Sequence, residues 1–161
     1  MHDGDTAQVL VLMIGDDAAA AMRIAIPAAN VREVASAEHV TEYPGSPLDV
    51  AGLTAIRGQI VPVLDLVANA GARRSIVILD AGTQTLAIAG GVAVRIAGAI
   101  AAPDLTDIAP VRLWSGRVLP LVGSVRLHDA PRSSASGAPA LPLLDAAALI
   151  RDVVDESDGE R

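Results

Sequence analysis

GLTAIRGQIVPVLDL, Gly52 to Leu66, is the stretch that decides the reading of this chain. It sets one arginine, Arg57, between two glycines and then enters an apolar strand that carries a proline and closes on aspartate. Gly52 and Gly58 admit backbone geometry closed to residues with a Cβ, so Arg57 is displayed at a tight corner where its planar guanidinium can meet a carboxylate. Past the corner, strand alternation sends Val61 and Val63 to one face and Ile60 to the other. One of these faces is expected to be core, and the aliphatic edge Ile60, Val61 and Val63 is a candidate contact surface. The plainer reading is a salt-bridged surface turn.

Working outward, VPVLDLVANA (61–70) is echoed by LPLLDAAALI (141–150), and IAIPAANVREVA (24–35) aligns without a gap on LAIAGGVAVRIA (86–97). Two matches in the same order point to two copies of one unit. Around them the pattern predicts a strand over Val9–Ile14, a turn at Gly15-Asp16-Asp17 and a second strand over 21–26, followed by a short helical turn opened by Pro27. A loop rich in Pro, Gly and Ser spans 36–50. A hairpin over Ser75–Asp80 and Thr85–Ala89 is expected to open the second unit. Further strands are expected over Val111–Trp114, Arg117–Leu121 and Val122–Leu127, then a mobile surface loop over His128–Pro139 and a helix over Ala146–Val154 capped by Asp145. Many short strands at close spacing give a mainly β class: two small five-stranded barrels of the SH3 or OB kind with a few short helices. The subdomains fall roughly at 15–70 and 75–140, with terminal segments crossing over. Residues 1–7 read as a disordered polar tail and 155–161 as a disordered acidic one.

At 161 residues the chain suits one domain, or one made of two small subdomains, and can bury roughly two-thirds of its unfolded surface. Cysteine is absent, which excludes a disulfide framework and is compatible with a reducing cytoplasm. The opening MHDGDTA has no basic stretch before an apolar one, so no secretory signal is read and the chain is expected to stay inside the cell. In the longest apolar run, 86–103, six Leu, Ile and Val residues contribute roughly −2 to −3.5 kcal/mol toward insertion, and Arg95 at the centre costs about +2.5 to +3.5. The terms cancel, and soluble strands are the better account. A net charge of −7, with all twelve basic residues arginine, argues against nucleic acid. A chain without lysine has no phosphate-binding P-loop. His2, His39 and His128 are scattered with no metal-ligand spacing. Gly90, Gly91 and Gly98 read as strand bends, and Ser133, Ser134 and Ser136 have no nucleophile elbow. Asp65 and Asp145 stand at matching repeat positions, where turn caps are the better reading than catalysis. No catalytic, cofactor or metal site is expected.

Taken together, VLVLMIG (9–15), IAIPAANVREV (24–34), EYPGSP (42–47), the arginine corner and the closing LLD strand resemble the CheW-like domain family, the coupling proteins of bacterial chemotaxis arrays. The family corner usually reads Gly-Val-x-Asn-Leu-Arg-Gly, so Ala55 stands where Asn is usual, and the family's strand aromatics are absent here. The resemblance implies a non-enzymatic adaptor without cofactor, cytoplasmic and gathered at membrane-associated receptor clusters, with no insertion into the membrane. It implies that one barrel packs on the CheW-like regulatory domain of the histidine kinase CheA. A groove between barrels would take the cytoplasmic tip of a methyl-accepting chemoreceptor, and copies could self-associate in array rings. Val31, Gly52, Leu53, Arg57 and Gly58 match family positions near these surfaces. Glu33 matches one too, and its charge leads us to expect an ion pair with Arg57, weak in water and costly to break under a partner. Two alternatives are a chemosensory scaffold with another output, such as surface motility or second-messenger control, and a ligand-binding or hydrolytic barrel using Asp65 or Asp145. The last requires a polar cavity inside a barrel.

Overall fold

Strands that read as unbroken apolar runs are buried on both faces, and β1 (Ala7–Ile14) shows how this chain uses that. Val9 and Val11 point to one side and join a cluster with Ala25, Ala99 and Val125. Leu10, Leu12 and Ile14 point to the other and join the main core. The computed structural model describes residues 7–15, 22–37, 39–68, 74–101, 108–128 and 140–158. Within them β2 (Met22–Pro27) leads through a 3-10 turn over Ala28–Asn30 into β3 (Val31–Ala37), followed by β4 (Val50–Ile56), β5 (Gln59–Asp65), β6 (Arg74–Ala81), β7 (Gln84–Ala89), β8 (Gly91–Ala101), β9 (Leu121–Leu127), β10 (Leu141–Leu144) and one helix, α1 (Ala146–Asp158).

The fold is mainly β with two five-stranded sheets, the class the sequence predicts. One closes as a barrel in the order β1-β2-β10-β9-β8; the other runs β3-β6-β7-β5-β4 and is not closed by a ladder between β3 and β4. All five strands of the open sheet still contribute to one inner cluster, from Ala37, Ile56, Val61, Val63, Ile76, Ile78, Ala87 and Ala89. An interior this narrow is filled by Ala, Val and Ile, without a ring among them. The outer faces carry most of the buried Leu, and there Leu10, Leu12, Ile24 and Ile26 of the barrel share one core with Leu64, Leu79, Leu86 and Ile88 of the sheet and with Leu149, Ile150 and Val153 of α1. Two sheets packed through their outer faces therefore hold the molecule together.

The repeat is visible in the register. Val63 of β5 pairs in parallel with Ala87 of β7, and Leu143 of β10 pairs in parallel with Ala25 of β2. Leu143 is the repeat counterpart of Val63, and Ala25 of Ala87, so both copies make the same contact, each with the other copy as partner. This exchange corrects the expected boundaries. The β6–β7 hairpin opens the second copy, as expected, but lies in the sheet of β3, β4 and β5, while β1 and β2, which open the first copy, belong to the barrel with β8, β9 and β10. Each sheet needs strands from both copies.

Three local expectations also change. Only Leu121–Leu127 forms a strand in the region 111–127, and Arg112 and Val118 meet in an isolated bridge flanked by the Leu113–Arg117 and Leu119–Val111 backbone bonds. The final helix runs on to Asp158 instead of stopping at Val154, so Asp155–Asp158 are helical, not a disordered tail. Ala7 opens β1 instead of ending a tail. Asp145 does cap this helix, its Oδ1 accepting from the Ala148 N–H at 3.1 Å. The expectations for residues 1–6, the turn at Asp16-Asp17, the loop after His128, the serines 133, 134 and 136, and residues 159–161 lie outside the described residues.

Candidate docking surface

Ile56 and Gln59 pair as the last rung of the β4–β5 hairpin, which leaves Arg57 and Gly58 as a two-residue turn. Both have positive φ, 49° and 79°. Two-residue turns of that kind match the right-handed twist of the strands they join, and they favour Asn, Asp or Gly at the first position. Arg57 is the one non-glycine among the described residues with positive φ. An arginine held in a conformation that resists a Cβ points to a use for its side chain beyond making the turn. That side chain is 78% exposed.

Glu33 on β3 reaches this corner. Arg57 Nη2 lies 3.0 Å from Glu33 Oε2, and Nε donates to the two carboxylate oxygens at 3.1 and 3.3 Å. The hydrogen bond and charge of Glu33 raise the Arg57 pKa above its ordinary value. The pair spans the two unjoined edges of the open sheet, since Glu33 belongs to β3 and Arg57 to the β4–β5 turn. Further along the same edges the backbone closes the gap: Thr41 N donates to Leu53 O at 2.8 Å and Leu53 N to Thr41 O at 2.9 Å. Gly52 makes that approach possible. Its φ is +146°, and a Cβ there would sit 2.2 Å from the Thr41 carbonyl oxygen.

The outer face of the hairpin is apolar up to its tip. Leu53 stands opposite Pro62 and Ala55 opposite Ile60, pairs whose side chains adjoin on one face. Ile60 is 64% exposed. Ala55, at the position where Asn is usual in the family the sequence resembles, therefore adds a methyl beside Ile60.

The remaining candidates divide sharply. Val61 and Val63 are fully buried inside the open sheet, so neither can touch a partner, and their inclusion beside Ile60 is corrected by the alternation itself. Val31 is half-buried against the main core, a packing residue more than a surface one. Asp65 and Asp145 hold separate places: one ends β5 and its carbonyl accepts from Trp114 Nε1, and the other caps α1.

A buried polar cluster went unseen in the sequence. Arg117 Nε lies 2.6 Å from Asp49 Oδ2 and its Nη2 3.1 Å from Oδ1, Ser115 Oγ donates to Asp49 at 2.8 Å, and Glu156 Oε2 takes Arg117 Nη2 at 2.6 Å. Burial alone would raise the Asp49 pKa, but hydrogen bonds from Arg117 and Ser115 and the Arg117 charge override it and hold the carboxyl below its ordinary value. The cluster ties the start of β4 to the 111–119 segment and to α1.

Set beside known proteins, the CheW-like domain family matches residues 8–153, nearly the whole described chain. The chain belongs to the CheW-like domain family. Among solved structures, it is similar to the scaffolding protein TtCheW from Thermoanaerobacter tengcongensis, with a TM-score of 0.55 and 15% identity over 89% of this chain and 87% of that one. At that identity the likeness speaks for the fold alone. No curated protein matches by sequence. Membership of the CheW-like family makes this a chemotaxis scaffold or adaptor domain. Among the described residues of this CheW-like domain, no helix is long and apolar enough to cross a membrane.

Proposed function

We propose that this CheW-like domain couples chemoreceptors to a histidine kinase of the CheA type in a bacterial chemosensory array, by docking and without catalysing a reaction. The observation that carries this is the β4–β5 hairpin: an exposed arginine in a left-handed turn, paired across a sheet edge with Glu33, beside an apolar face ending in Ile60. A partner covering that corner would shield the ion pair from water and bury Ile60 in one step, gaining apolar area and strengthening the charge contact together. Such a surface gives orientation, which is what coupling two other proteins requires. The same logic allows copies of this domain to lie beside the kinase's regulatory domain in array rings, in the cytoplasm at receptor clusters. A hydrolytic barrel is the weaker reading, because both sheet interiors are packed by aliphatic side chains.

The test is recovery of purified kinase regulatory domain and receptor tip fragments on immobilised wild type, Arg57→Glu and Arg57→Gly. Charge reversal is expected to reduce receptor-dependent assembly with little change in melting temperature. Arg57→Gly relaxes the turn, so it is expected to melt at or a few degrees above wild type while docking as poorly as the reversal. Full recovery of both partners by both variants would remove Arg57 from the interface.

A further inference from the structure

The chain has one Trp, one Tyr and no Phe, and its two rings line the same cavity of about 360 Å³. It opens where β4 begins and β5 ends, bounded by the 42–51 segment, Asp65 and Trp114. That is the far end of the hairpin from Arg57, roughly 20 Å away along seven-residue strands, and separate from the docking surface above. Both rings have their polar atoms engaged within the protein. Trp114 Nε1 donates to the Asp65 carbonyl at 3.1 Å, and the Tyr43 hydroxyl donates to Ser157 Oγ at 3.0 Å. What they leave for a guest is the carbon of the rings, and Trp114 is 43% exposed.

The rest of the wall narrows the chemistry. Glu42 lines the cavity and is exposed, and none of the described lining residues is basic. An anion would meet a carboxylate and no cation, and an apolar guest would cover Leu48 but leave the Glu42 charge without a partner. A cation gains from the negative ring faces and from Glu42 together. The rings are also held in place beforehand by their hydrogen bonds, so little ordering is needed when a guest arrives.

We propose that this cavity binds an organic cation, a guanidinium or ammonium group presented either by an arginine or lysine side chain of a partner or by a free small molecule. The single Trp makes indole fluorescence a local reporter, and because Trp114 also borders a second cavity beside Met22 and Leu66, the Glu42 variant, which touches only the first, tells the two apart. The full chain is titrated at constant ionic strength with N-acetylarginine amide, with tetramethylammonium chloride, and with the neutral isostere N-acetylcitrulline amide. A saturable change at millimolar concentration is expected for a cation and none for citrulline, with Glu42→Gln weakening the cation about three- to tenfold at an unchanged melting temperature. Saturation by the arginine amide alone assigns the site to a partner's side chain, and saturation by tetramethylammonium as well assigns it to small cations at large. An equal response to citrulline, no saturation by either cation, or a Glu42→Gln variant that binds like wild type would each overturn the proposal.

Discussion

Asp49→Asn strikes the charge at the centre of the cluster that joins β4, the 111–119 segment and α1. The Asp49 side chain is 4% exposed and that of Arg117 13%, so this is an ion pair largely out of water. Removing one member of such a pair strands the other and costs about 3–5 kcal/mol. Here Glu156 remains on Arg117 Nη2 at 2.6 Å, with its own side chain 47% exposed, which moves the expectation down to about 2–4 kcal/mol. For a chain of this length that is a fall in melting temperature of about 5–15 °C. The sign of the pH dependence follows from Asp49 lying below its ordinary pKa when folded. The unfolded chain then binds this proton more tightly, so the contribution is complete above the ordinary carboxylate range, about pH 4, and is lost as pH falls through the folded value. Urea unfolding of wild type and Asp49→Asn at pH 7 and pH 3 should therefore show a wide gap in stability at pH 7 that narrows in acid. A gap below about 1 kcal/mol at pH 7, or one that stays constant with pH, would refute the reasoning.

Gly52→Ala should cost about 2–6 kcal/mol, combining the strain of a Cβ at this φ with loss of the two Thr41–Leu53 backbone bonds; amide exchange at Leu53 should quicken, and a variant melting with wild type would show that the strands do not approach so closely. Val63→Ala should cost about 2–3 kcal/mol in urea and leave docking intact, because Val63 is interior. Ile60→Ser should do the reverse, changing stability by under about 0.5 kcal/mol while lowering partner recovery, and the opposite pattern would return Val63 to the contact surface.

Arg57 was legible because its glycine neighbour announces a turn, and turn chemistry is local. The Glu33 contact was legible only through resemblance, as 24 residues separate the two and spacing along the chain says nothing about opposed sheet edges. Asp49 and Arg117 lie 68 apart, in segments that match no motif, so nothing local marked them as a buried pair. The repeat could be read from LPLLD and VPVLD, yet sheet membership could not. Similarity between copies is preserved whether each strand pairs within its own copy or with the other, and the choice depends on the connections through Pro27 and through Gly90-Gly91. At Gly91 a Cβ would meet Leu12 at 2.8 Å, a crowding that no pattern of hydrophobicity records.

The two sheets descend from one pattern but differ at a single seam. In the barrel, β8 pairs with β9 through Ala99, Ile100 and Ala101 and so completes the ring. The counterparts in the other sheet, β3 and β4, have no ladder between them; the Thr41–Leu53 bridge, the Thr54 hydroxyl on the His39 carbonyl, the Arg32–Gln59 hydrogen bond and the Arg57–Glu33 pair span the gap instead. An edge held by one backbone bridge and a few side-chain contacts, without a ladder, is the part of a sheet most open to a partner. Any protein that engages Arg57 or Glu33 must therefore either compete with a contact linking the two edges or cover it. Competition would make docking weaken steeply with salt, because the new contact would remain in water. Covering would make it salt-resistant once formed, because screening fades as water leaves. Ile60 beside the corner favours covering, since its exposed surface is buried only if the partner lies over the pair. Partner recovery measured from about 50 to 500 mM salt should accordingly show slower association but little change in the lifetime of the complex. A lifetime that collapses with salt would mean that the ion pair stays wet in the complex and that Ile60 is not covered.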